Sequence, residues 1–274
     1  MTGTEIDNVM VFKDTLKQIE KNYPADIGNV RYYNGISPIE KLKDYPPVKM
    51  VQGGTVNTGY ANTDKMRVAI LNFADAIKYG GWVEYGAQTQ EENICRCTNI
   101  YPILGHKLSD ENYYKPNLAT LNARPVGDYS HYGNEDEVYT DRIIYTRDVI
   151  VFKDDTTYEN VEPRKLDVIT CPAPSAQMSV FKMFDTFTQR AEQVLLSAID
   201  NKAECIVLGA WGCGAFGQIP EVVARAFTVA LNKYGGYFKS VVFAIKPTPH
   251  WGEKNLFTTF KTSLQRYYIG GCCE

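Results

Sequence analysis

The sequence predicts an α/β sandwich built around a largely parallel β-sheet. Short apolar runs without polar alternation are typical of strands buried on both faces, and helical periodicity lies between several of these runs. The runs are Val68–Phe73, Val149–Phe152, Val168–Cys171, Cys205–Leu208 and Val241–Ile245. Because such sheets bind ligands at the carboxyl ends of their strands, we expect functional residues just after these runs.

Two long helices are predicted between the later strands. Ser179–Asp200 and Glu221–Tyr234 each place apolar side chains along one stripe at helical spacing. Gly235 and Gly236 follow the second segment and are typical of a helix C-terminus. Asn112–Asp148 is instead polar and rich in turn residues and tyrosine, so we expect an insertion or a covering loop there.

The N-terminal quarter of the chain has a different character. Ile6–Tyr23 can form an amphipathic helix, and prolines and glycines dominate the segment that follows it. We therefore expect residues 1–65 to form a helical and irregular extension that packs on a core of residues 66–274, within a single domain overall.

Composition and charge exclude several classes of protein. The chain has 274 residues and a formal net charge of −3. This overall negative charge does not favour general binding to nucleic acids. A signal peptide and an apolar run of about 18 residues are both missing, which predicts a cytoplasmic protein without a membrane span. The seven cysteines show no CxxC spacing and no histidine near them in sequence, so no metal site is expected.

A glycine-rich loop separates a predicted strand from a predicted helix. It follows Leu208 and ends before Pro220, a residue suited to the first turn of a helix. Its glycines are Gly209, Gly212, Gly214 and Gly217. Such a loop can bind a phosphate or diphosphate, because glycines permit close backbone approach and the helix start offers free N–H groups. No GK[ST] follows, and a tight turn without a ligand is the alternative. Phe216 is placed to stack on a ribose or a base, or to pack.

Two adjacent glutamates, Glu91 and Glu92, admit two interpretations. The sequence Thr89-Gln90-Glu91-Glu92 matches a capping box, in which Glu92 reaches back to the Thr89 N–H. A glycine-rich approach containing Gly80, Gly81 and Gly86 precedes them, and such a loop can instead bring a carboxylate and backbone N–H groups to one ligand. The residues alone leave both interpretations open.

Four segments together resemble the microbial-type poly(ADP-ribose) glycohydrolases, enzymes with a macrodomain fold. They are Leu71–Ala76 (LNFADA), Gly80–Leu104 (GGWVEYGAQTQEENICRCTNIYPIL), Val168–Ala176 (VITCPAPSA) and Val207–Phe227 (VLGAWGCGAFGQIPEVVARAF). The resemblance implies a three-layer α/β/α sandwich with a mixed sheet. It also implies a monomer that hydrolyses ribose–ribose O-glycosidic bonds and releases ADP-ribose without a metal or a cofactor.

The resemblance implies a role for each matching residue. Glu92, the second glutamate of QEE, would be the catalytic acid, with Glu91 orienting the ribose and Gln90 supporting the segment. The residues that would line the catalytic loop are Gly80, Gly81 and Val83. The residues that would hold the diphosphate and the distal ribose are Gly212, Gly214, Ala215, Phe216 and Gly217. Asn72 would contact the ligand from below.

The glycine loop before the two glutamates departs from the family pattern. The family typically reads NPGGG before its QEE segment, whereas residues 78–82 read KYGGW here, so Trp82 replaces the third glycine. Two alternatives to poly(ADP-ribose) hydrolysis therefore stay open: removal of mono-ADP-ribosyl groups from protein or nucleic acid, and binding of ADP-ribose without turnover. The expected partners are accordingly ADP-ribose, poly(ADP-ribose) or ADP-ribosylated macromolecules.

Overall fold

The computed structural model of the chain describes residues 6–42, 44–122, 139–174, 179–247 and 255–273. Within these ranges, eight strands form one mixed sheet with helices on both faces. The strands are β1 Val30–Asn34, β2 Val48–Val51, β3 Val68–Ala74, β4 Arg142–Lys153, β5 Asn160–Pro172, β6 Cys205–Leu208, β7 Ser240–Ala244 and β8 Cys272–Cys273. Their order across the sheet is β1-β4-β5-β3-β6-β7-β2-β8.

Helices of very different length connect these strands. The α-helices are α1 Asn8–Asn22, α2 Thr55–Tyr60, α3 Gln90–Cys97, α4 Tyr101–Leu104, α5 Lys107–Ser109, α6 Lys115–Asn122, α7 Val180–Asp200, α8 Pro220–Tyr234 and α9 Leu256–Tyr267. Short 3₁₀ helices cover Ile27–Asn29, Val83–Tyr85 and Gly235–Tyr237, and a π-helix covers Asp110–Tyr114.

The sheet is parallel around its centre and antiparallel at one side. Strand β3 pairs in parallel with β5 and β6, and parallel pairing continues through β7 and β2 to β8. Strands β1, β4 and β5 pair antiparallel. The predicted α/β fold with a mixed, largely parallel sheet is therefore confirmed.

The two faces of β3 contribute to two separate hydrophobic clusters. Ala69 and Leu71 pack with side chains of α7, α8 and α9, whereas Val68 and Ile70 pack with side chains of α1 and α3. Since successive side chains of a strand point to opposite faces, this alternation places the sheet between two helical layers. The three-layer arrangement follows from these contacts.

The apolar runs predicted the five strands β3 to β7 but not β1, β2 or β8, and the helical stripes predicted the long helices. The predicted helices over 179–200 and 221–234 are α7 and α8, each within one residue of its observed start. The runs Val149–Phe152 and Val168–Cys171 are only parts of β4 and β5, which have 12 and 13 residues. The outer parts of these two strands are partly exposed and mixed in polarity, so they show no continuous apolar run.

The loop expected at Asn112–Asp148 is wrong at both of its ends. Residues 112–122 are helical, and residues 142–148 belong to β4; the middle of the segment, 123–138, lies outside the described residues. Tyr113 and Tyr114 are buried in the core. The many tyrosines made the segment look polar, yet these two rings are core side chains.

The predicted N-terminal extension contributes directly to the sheet. Strand β1 pairs with β4, and β2 lies between β7 and β8, so residues before 66 supply two of the strands. The division of the chain at residue 65 stays a prediction.

A buried lysine attaches α1 to the sheet. Lys153 on β4 is only 3% exposed, and its ammonium donates hydrogen bonds to Asp14 Oδ2 at 2.6 Å and to Thr15 Oγ1 at 3.1 Å. Thr15 in turn donates to the carbonyl of Arg96 at 2.6 Å. In each of these bonds the donor and the acceptor lie on different elements, so the bonds join α1, β4 and α3.

Arg96 extends this connection to the loop before α3. Its side chain is buried and donates to the carbonyl of Asn8 at 3.3 Å and to the carbonyl of Ala87. Helix α1 therefore supports the segment that leads to the two glutamates.

Replacement of Lys153 by Met is expected to lower the free energy of unfolding by about 2 kcal/mol. Met fills most of the same volume, but the hydrogen bonds from a charged donor are lost and Thr15 loses a buried partner. For a chain of this size the corresponding decrease in Tm is about 5 °C, measurable by differential scanning calorimetry. Lys13→Met, on the exposed side of α1, is the matched control. Equal Tm values for the two variants would contradict the assigned role of Lys153.

Candidate functional site

One large cleft lies at the carboxyl ends of the parallel strands. Its volume is about 1040 Å³, which is enough for a ligand of dinucleotide size. Segments that follow β2, β3, β6 and β7 line it, including Gly54, Asp75, Ala210 and Lys246. The cleft therefore occupies the edge of the sheet where the sequence predicts ligand binding.

Gln90, the first residue of α3, anchors the helix start to the end of β3. Its Oε1 accepts the Phe73 N–H at 2.8 Å, and its Nε2 donates to the Leu71 carbonyl at 2.7 Å. The side-chain amide thus bonds to the strand as a neighbouring backbone would. This two-point attachment sets where the next two residues, both glutamates, enter the cleft.

Glu91 lines the cleft and is 2% exposed. Its Oε2 accepts the Asp75 N–H at 2.7 Å, and its Oε1 faces Asn72 Nδ2 at 3.4 Å. Burial raises the pKa of the Glu91 carboxyl well above its usual range, and the negative charges of Asp75 and Glu92 act in the same direction. The Asp75 and Asn72 donors lower this pKa, but they do not offset the burial.

Glu92 lines the same cleft and is 3% exposed. Its Oε1 accepts the Trp82 N–H at 2.9 Å, and its Oε2 accepts the hydroxyl of Thr89. The Thr89 side chain caps no helical N–H, and the Glu92 carboxylate bonds to the preceding loop rather than to the Thr89 N–H. The capping-box interpretation is therefore wrong.

The loop that holds Glu92 requires two glycines. Gly80 and Gly81 have φ values of +67° and +57°, which side chains rarely adopt. A Cβ on Gly81 would overlap Glu92 Oε1, and a Cβ on Gly80 would lie 2.7 Å from the ring of Tyr101. The close approach of loop and carboxylate depends on the absence of both side chains.

A second glycine loop between β6 and α8 lines the cleft with its backbone. Gly212 and Gly217 have φ values of +75° and +63°, and the loop is closed by a hydrogen bond from the Gln218 N–H to the Gly212 carbonyl at 3.0 Å. Throughout the described part of the chain, the N–H groups of Gly214, Ala215 and Phe216 find no acceptor. Three successive unpaired amides at the edge of a cleft can bind the oxygens of a phosphate group.

Comparison with known proteins agrees with this geometry. Residues 9–154 match the family described as microbial-type PARG, catalytic domain, where PARG denotes poly(ADP-ribose) glycohydrolase. The chain belongs to this family. It is a glycohydrolase, an enzyme that hydrolyses glycosidic bonds of poly(ADP-ribose).

Solved bacterial PARG structures have the same fold. The PARG of Thermomonospora curvata superimposes with a TM-score of 0.75 at 24% identity, over 93% of this chain and 98% of that one. The same enzyme with the inhibitor ADP-HPD gives 0.74 at 25% identity, over 92% and 97%. The PARG of Deinococcus radiodurans in complex with ADP-ribose gives 0.67 at 28% identity, over 81% and 85%. A search of curated proteins found no significant match.

The structure of this PARG-family chain brings most of the predicted site residues together in the cleft lining and leaves four outside it. The residues that line the cleft are Gly81, Gln90, Glu91, Glu92, Gly212, Gly214, Ala215 and Phe216. The four that do not line it are Asn72, Gly80, Val83 and Gly217. Val83 is a buried core side chain, and Asn72 lies beneath Glu91 and reaches the site only through it.

Sequence reasoning missed several polar residues of the cleft. Asp155 accepts the N–H groups of Val56 and Asn57 at the start of α2, at 3.0 and 3.1 Å. Lys246 lies across from it, with Nζ 3.1 Å from the Asp155 carbonyl oxygen. Lys246 follows the carboxyl end of the parallel strand β7, and this position could have identified it. Asp155 follows β4, which runs antiparallel to β5, so the same rule does not apply to it. Lys246 is a positive charge at the cleft and suits an anionic ligand.

The described residues offer neither a metal-binding cluster nor a membrane-spanning helix. They contain no group of three or more His, Cys, Asp or Glu side chains placed to hold a metal ion. No helix among them has the length and apolarity needed to cross a bilayer.

Gly81→Ala is expected to lower kcat by roughly 100-fold, because the new Cβ displaces the Glu92 carboxylate from its bond with the Trp82 amide. The matched control is Gly86→Ala. Gly86 also has a positive φ, of +82°, but its Cβ would meet Val9 rather than a carboxylate. Steady-state kinetics of both variants with poly(ADP-ribose) test whether the position of the Glu92 carboxylate controls kcat. Similar losses in the two variants would indicate backbone strain alone.

Glu91→Gln is expected to make the free energy of unfolding less dependent on pH. Because burial raises the pKa of Glu91, the folded state keeps a proton that the unfolded chain has already lost. The contribution of this group to stability is fully present below the ordinary glutamate pKa of about 4.3 and is lost as the pH rises through the raised value.

Chemical denaturation of wild type and Glu91→Gln from about pH 4 to about pH 8 measures this effect. We expect the variant to gain stability relative to wild type as the pH rises. Glu159→Gln, at an exposed position, is the control and should follow wild type. Parallel curves for wild type and Glu91→Gln would show that Glu91 titrates normally.

Proposed function

We propose that this chain releases ADP-ribose from poly(ADP-ribose) by hydrolysing the ribose–ribose O-glycosidic bond, with Glu92 as the general acid and base. One observation carries the proposal. The Glu92 carboxylate is held by the Trp82 amide and the Thr89 hydroxyl at the wall of a cleft that also contains three unpaired backbone amides. A fixed carboxyl and a phosphate-binding loop in one cleft suit a substrate with a glycosidic bond and a diphosphate.

The reaction needs one group that first gives and then takes a proton. Protonated Glu92 donates its proton to the leaving ribose oxygen while the bond from that oxygen to the anomeric carbon breaks. The ribose passes through a state resembling an oxocarbenium ion. The Glu92 carboxylate then accepts a proton from a water molecule whose oxygen bonds to the anomeric carbon, and the enzyme returns to its starting protonation state.

Glu91 is suited to orient the ribose. Its carboxyl is fixed by the Asp75 N–H and by Asn72, so it lies next to Glu92 with little freedom. Its raised pKa favours a protonated group, which can donate a hydrogen bond to a ribose hydroxyl. Adjacent positions in one helical turn thus supply a proton donor for the leaving oxygen and a contact for the sugar.

The diphosphate is assigned to the loop of residues 212–217. The amides of Gly214, Ala215 and Phe216 offer donors, and α8 begins shortly afterwards at Pro220, so its positive end faces the same region. Lys246 adds a positive charge at the cleft. Binding energy from the diphosphate holds the distant glycosidic bond at Glu92, as remote contacts do in enzymes.

We assign the activity to a single protomer in the cytoplasm. One chain supplies all of the described residues that line the cleft, and Cys95, Cys97, Cys205 and Cys213 are free thiols buried in the fold. Free thiols are typical of proteins in a reducing compartment. The proposed partners are poly(ADP-ribose) and its ADP-ribose product.

Glu92→Gln is expected to lower kcat by a factor of roughly 100 or more, without unfolding the protein or weakening ADP-ribose binding. Gln keeps an oxygen for the Trp82 amide and offers an N–H to Thr89. Release of ADP-ribose from the polymer and calorimetric titration with ADP-ribose measure the two properties. Wild type that binds ADP-ribose without releasing it would identify a binding protein, and an active Glu92→Gln would remove Glu92 from the mechanism.

Gly214→Glu is expected to weaken ADP-ribose binding by roughly 100-fold, since placing like charges together costs several kcal/mol. A Cβ at Gly214 meets no atom within 4 Å, so the substitution fits the fold. Gly214→Gln has nearly the same shape without the charge and is the matched control. Equal dissociation constants for the two variants would refute the diphosphate assignment.

A further inference from the structure

Trp82 replaces the third glycine of the family pattern, and it is 56% exposed while lining the cleft. Tyr85, three residues later, is 71% exposed. Single exposed aromatic residues are common, but two neighbouring rings, one of which lines the cleft, form an apolar surface that water solvates poorly. Such a surface is typical of a binding position for a flat, apolar group.

The two rings form one unit with a lysine. The ring centroids of Trp82 and Tyr85 are 5.6 Å apart, and their planes are inclined by 54°. The ammonium of Lys78 lies 3.5 Å from the Trp82 centroid and 5.0 Å from the Tyr85 centroid. Lys78 forms no salt bridge in the described part of the chain, so its charge is available to an anion. We call these three residues the aromatic platform.

The backbone beneath the aromatic platform is ordered by hydrogen bonds. The Gly81 N–H donates to the Lys78 carbonyl at 3.1 Å, and the N–H groups of Tyr85 and Ala87 both donate to the Trp82 carbonyl, at 3.0 and 3.3 Å. The 3₁₀ helix Val83–Tyr85 carries the second ring. Because this backbone is fixed before any ligand arrives, little entropy is lost when a flat group stacks on it.

The aromatic platform is directly connected to the proposed acid. The N–H of Trp82 is the donor to Glu92 Oε1, so the residue that carries the indole also holds the carboxyl that protonates the leaving oxygen. The diphosphate of the released ADP-ribose is assigned to a different wall of the cleft, at residues 212–217. The group that leaves must therefore depart past Glu92 and close to Trp82.

We propose that the aromatic platform binds the leaving group, stacking the adenine of the adjoining ADP-ribose unit and placing Lys78 near its phosphates. This inference rests on the proposed function. The leaving oxygen of poly(ADP-ribose) belongs to an adenosine ribose, so a purine lies on the same sugar as the oxygen that Glu92 protonates. Aromatic side chains are good stacking partners for a base, and an ammonium matches the diphosphate attached to that nucleoside. When a mono-ADP-ribosylated side chain is the substrate, the leaving group carries no such base.

The test compares two substrates that differ only in the leaving group: a dimer of ADP-ribose and 1″-O-methyl-ADP-ribose. We expect Trp82→Leu to lower the ratio of kcat/KM for the dimer to kcat/KM for the methyl glycoside by roughly tenfold, since stacking on one base has about that effect. Trp82→Phe should restore most of the ratio. Tyr79→Leu removes an aromatic side chain of the same loop that packs on Tyr101 instead, and should leave the ratio as in wild type.

Other kinetic outcomes would overturn the proposal. An equal loss on both substrates in Trp82→Leu would mean that Trp82 acts only by placing Glu92. A gain on the dimer in Trp82→Leu would mean that the indole obstructs the leaving group.

A binding measurement separates this proposal from the proposed function. In Glu92→Gln, the dimer should quench the tryptophan fluorescence more than ADP-ribose does, and the difference should vanish when Trp82→Phe is added. Quenching together with a wild type that cleaves neither substrate would support the aromatic platform and refute the hydrolase. Identical quenching by dimer and monomer would refute the aromatic platform, whatever the activity.

Discussion

The hydrogen bond from the Trp82 amide to Glu92 Oε1 is the constraint on which the rest of the site depends. It joins a loop that follows β3 to the first turn of α3, and it exists only because Gly81 leaves room for the carboxylate. Gln90 fixes the other side of the same helix start against β3. The Glu92 carboxyl is therefore positioned by backbone and by a side-chain amide, both of which are rigid partners, rather than by flexible charged groups.

The two neighbouring glutamates differ in their surroundings. Both are almost fully buried and both lie in the first turn of a helix, where the helix dipole favours negative charge. Glu91 faces the Asp75 N–H and Asn72, whereas Glu92 faces the Trp82 N–H and the Thr89 hydroxyl. One short helix thus presents two carboxyls to a ligand from two environments. Burying both carboxyl groups in one helical turn lowers the stability of the folded state, and the chain does so at its ligand-binding cleft.

The sequence predicted the centre of the fold better than its margins, for a physical reason. Strands β3, β6 and β7 are covered on both faces, so their burial appears directly as apolar runs. The outer parts of β4 and β5 and the buried Tyr113 and Tyr114 carry polar or amphipathic residues, whose burial depends on tertiary neighbours. The glycine loops were recognisable because only glycine adopts their backbone angles readily.

Most of the remaining contacts of the site could not be inferred from local sequence. Asp155 and Lys246 follow β4 and β7, which three other strands separate in the sheet, so their contact depends on the three-dimensional fold. The hydrogen-bond partners of Glu92 could not be predicted either, because the sequence from Thr89 to Glu92 fits a capping box equally well. Only the folded loop before α3 decides between the two. Arg96 illustrates the same limit: its bonds to Asn8 and Ala87 join segments that are distant in the chain.

The position of β2 in the sheet has a consequence for how the chain can evolve. This strand comes from residues 48–51, yet it lies between β7 and β8, far from the strand that follows it in sequence. Without it, the fully buried β7 would become an open edge, and exposed apolar edges promote association between molecules. The segments that resemble the family begin only at residue 71, so the domain cannot be transferred between proteins as those segments alone. The segment that must be transferred as a whole therefore includes β2, a strand that contacts neither Glu91 nor Glu92.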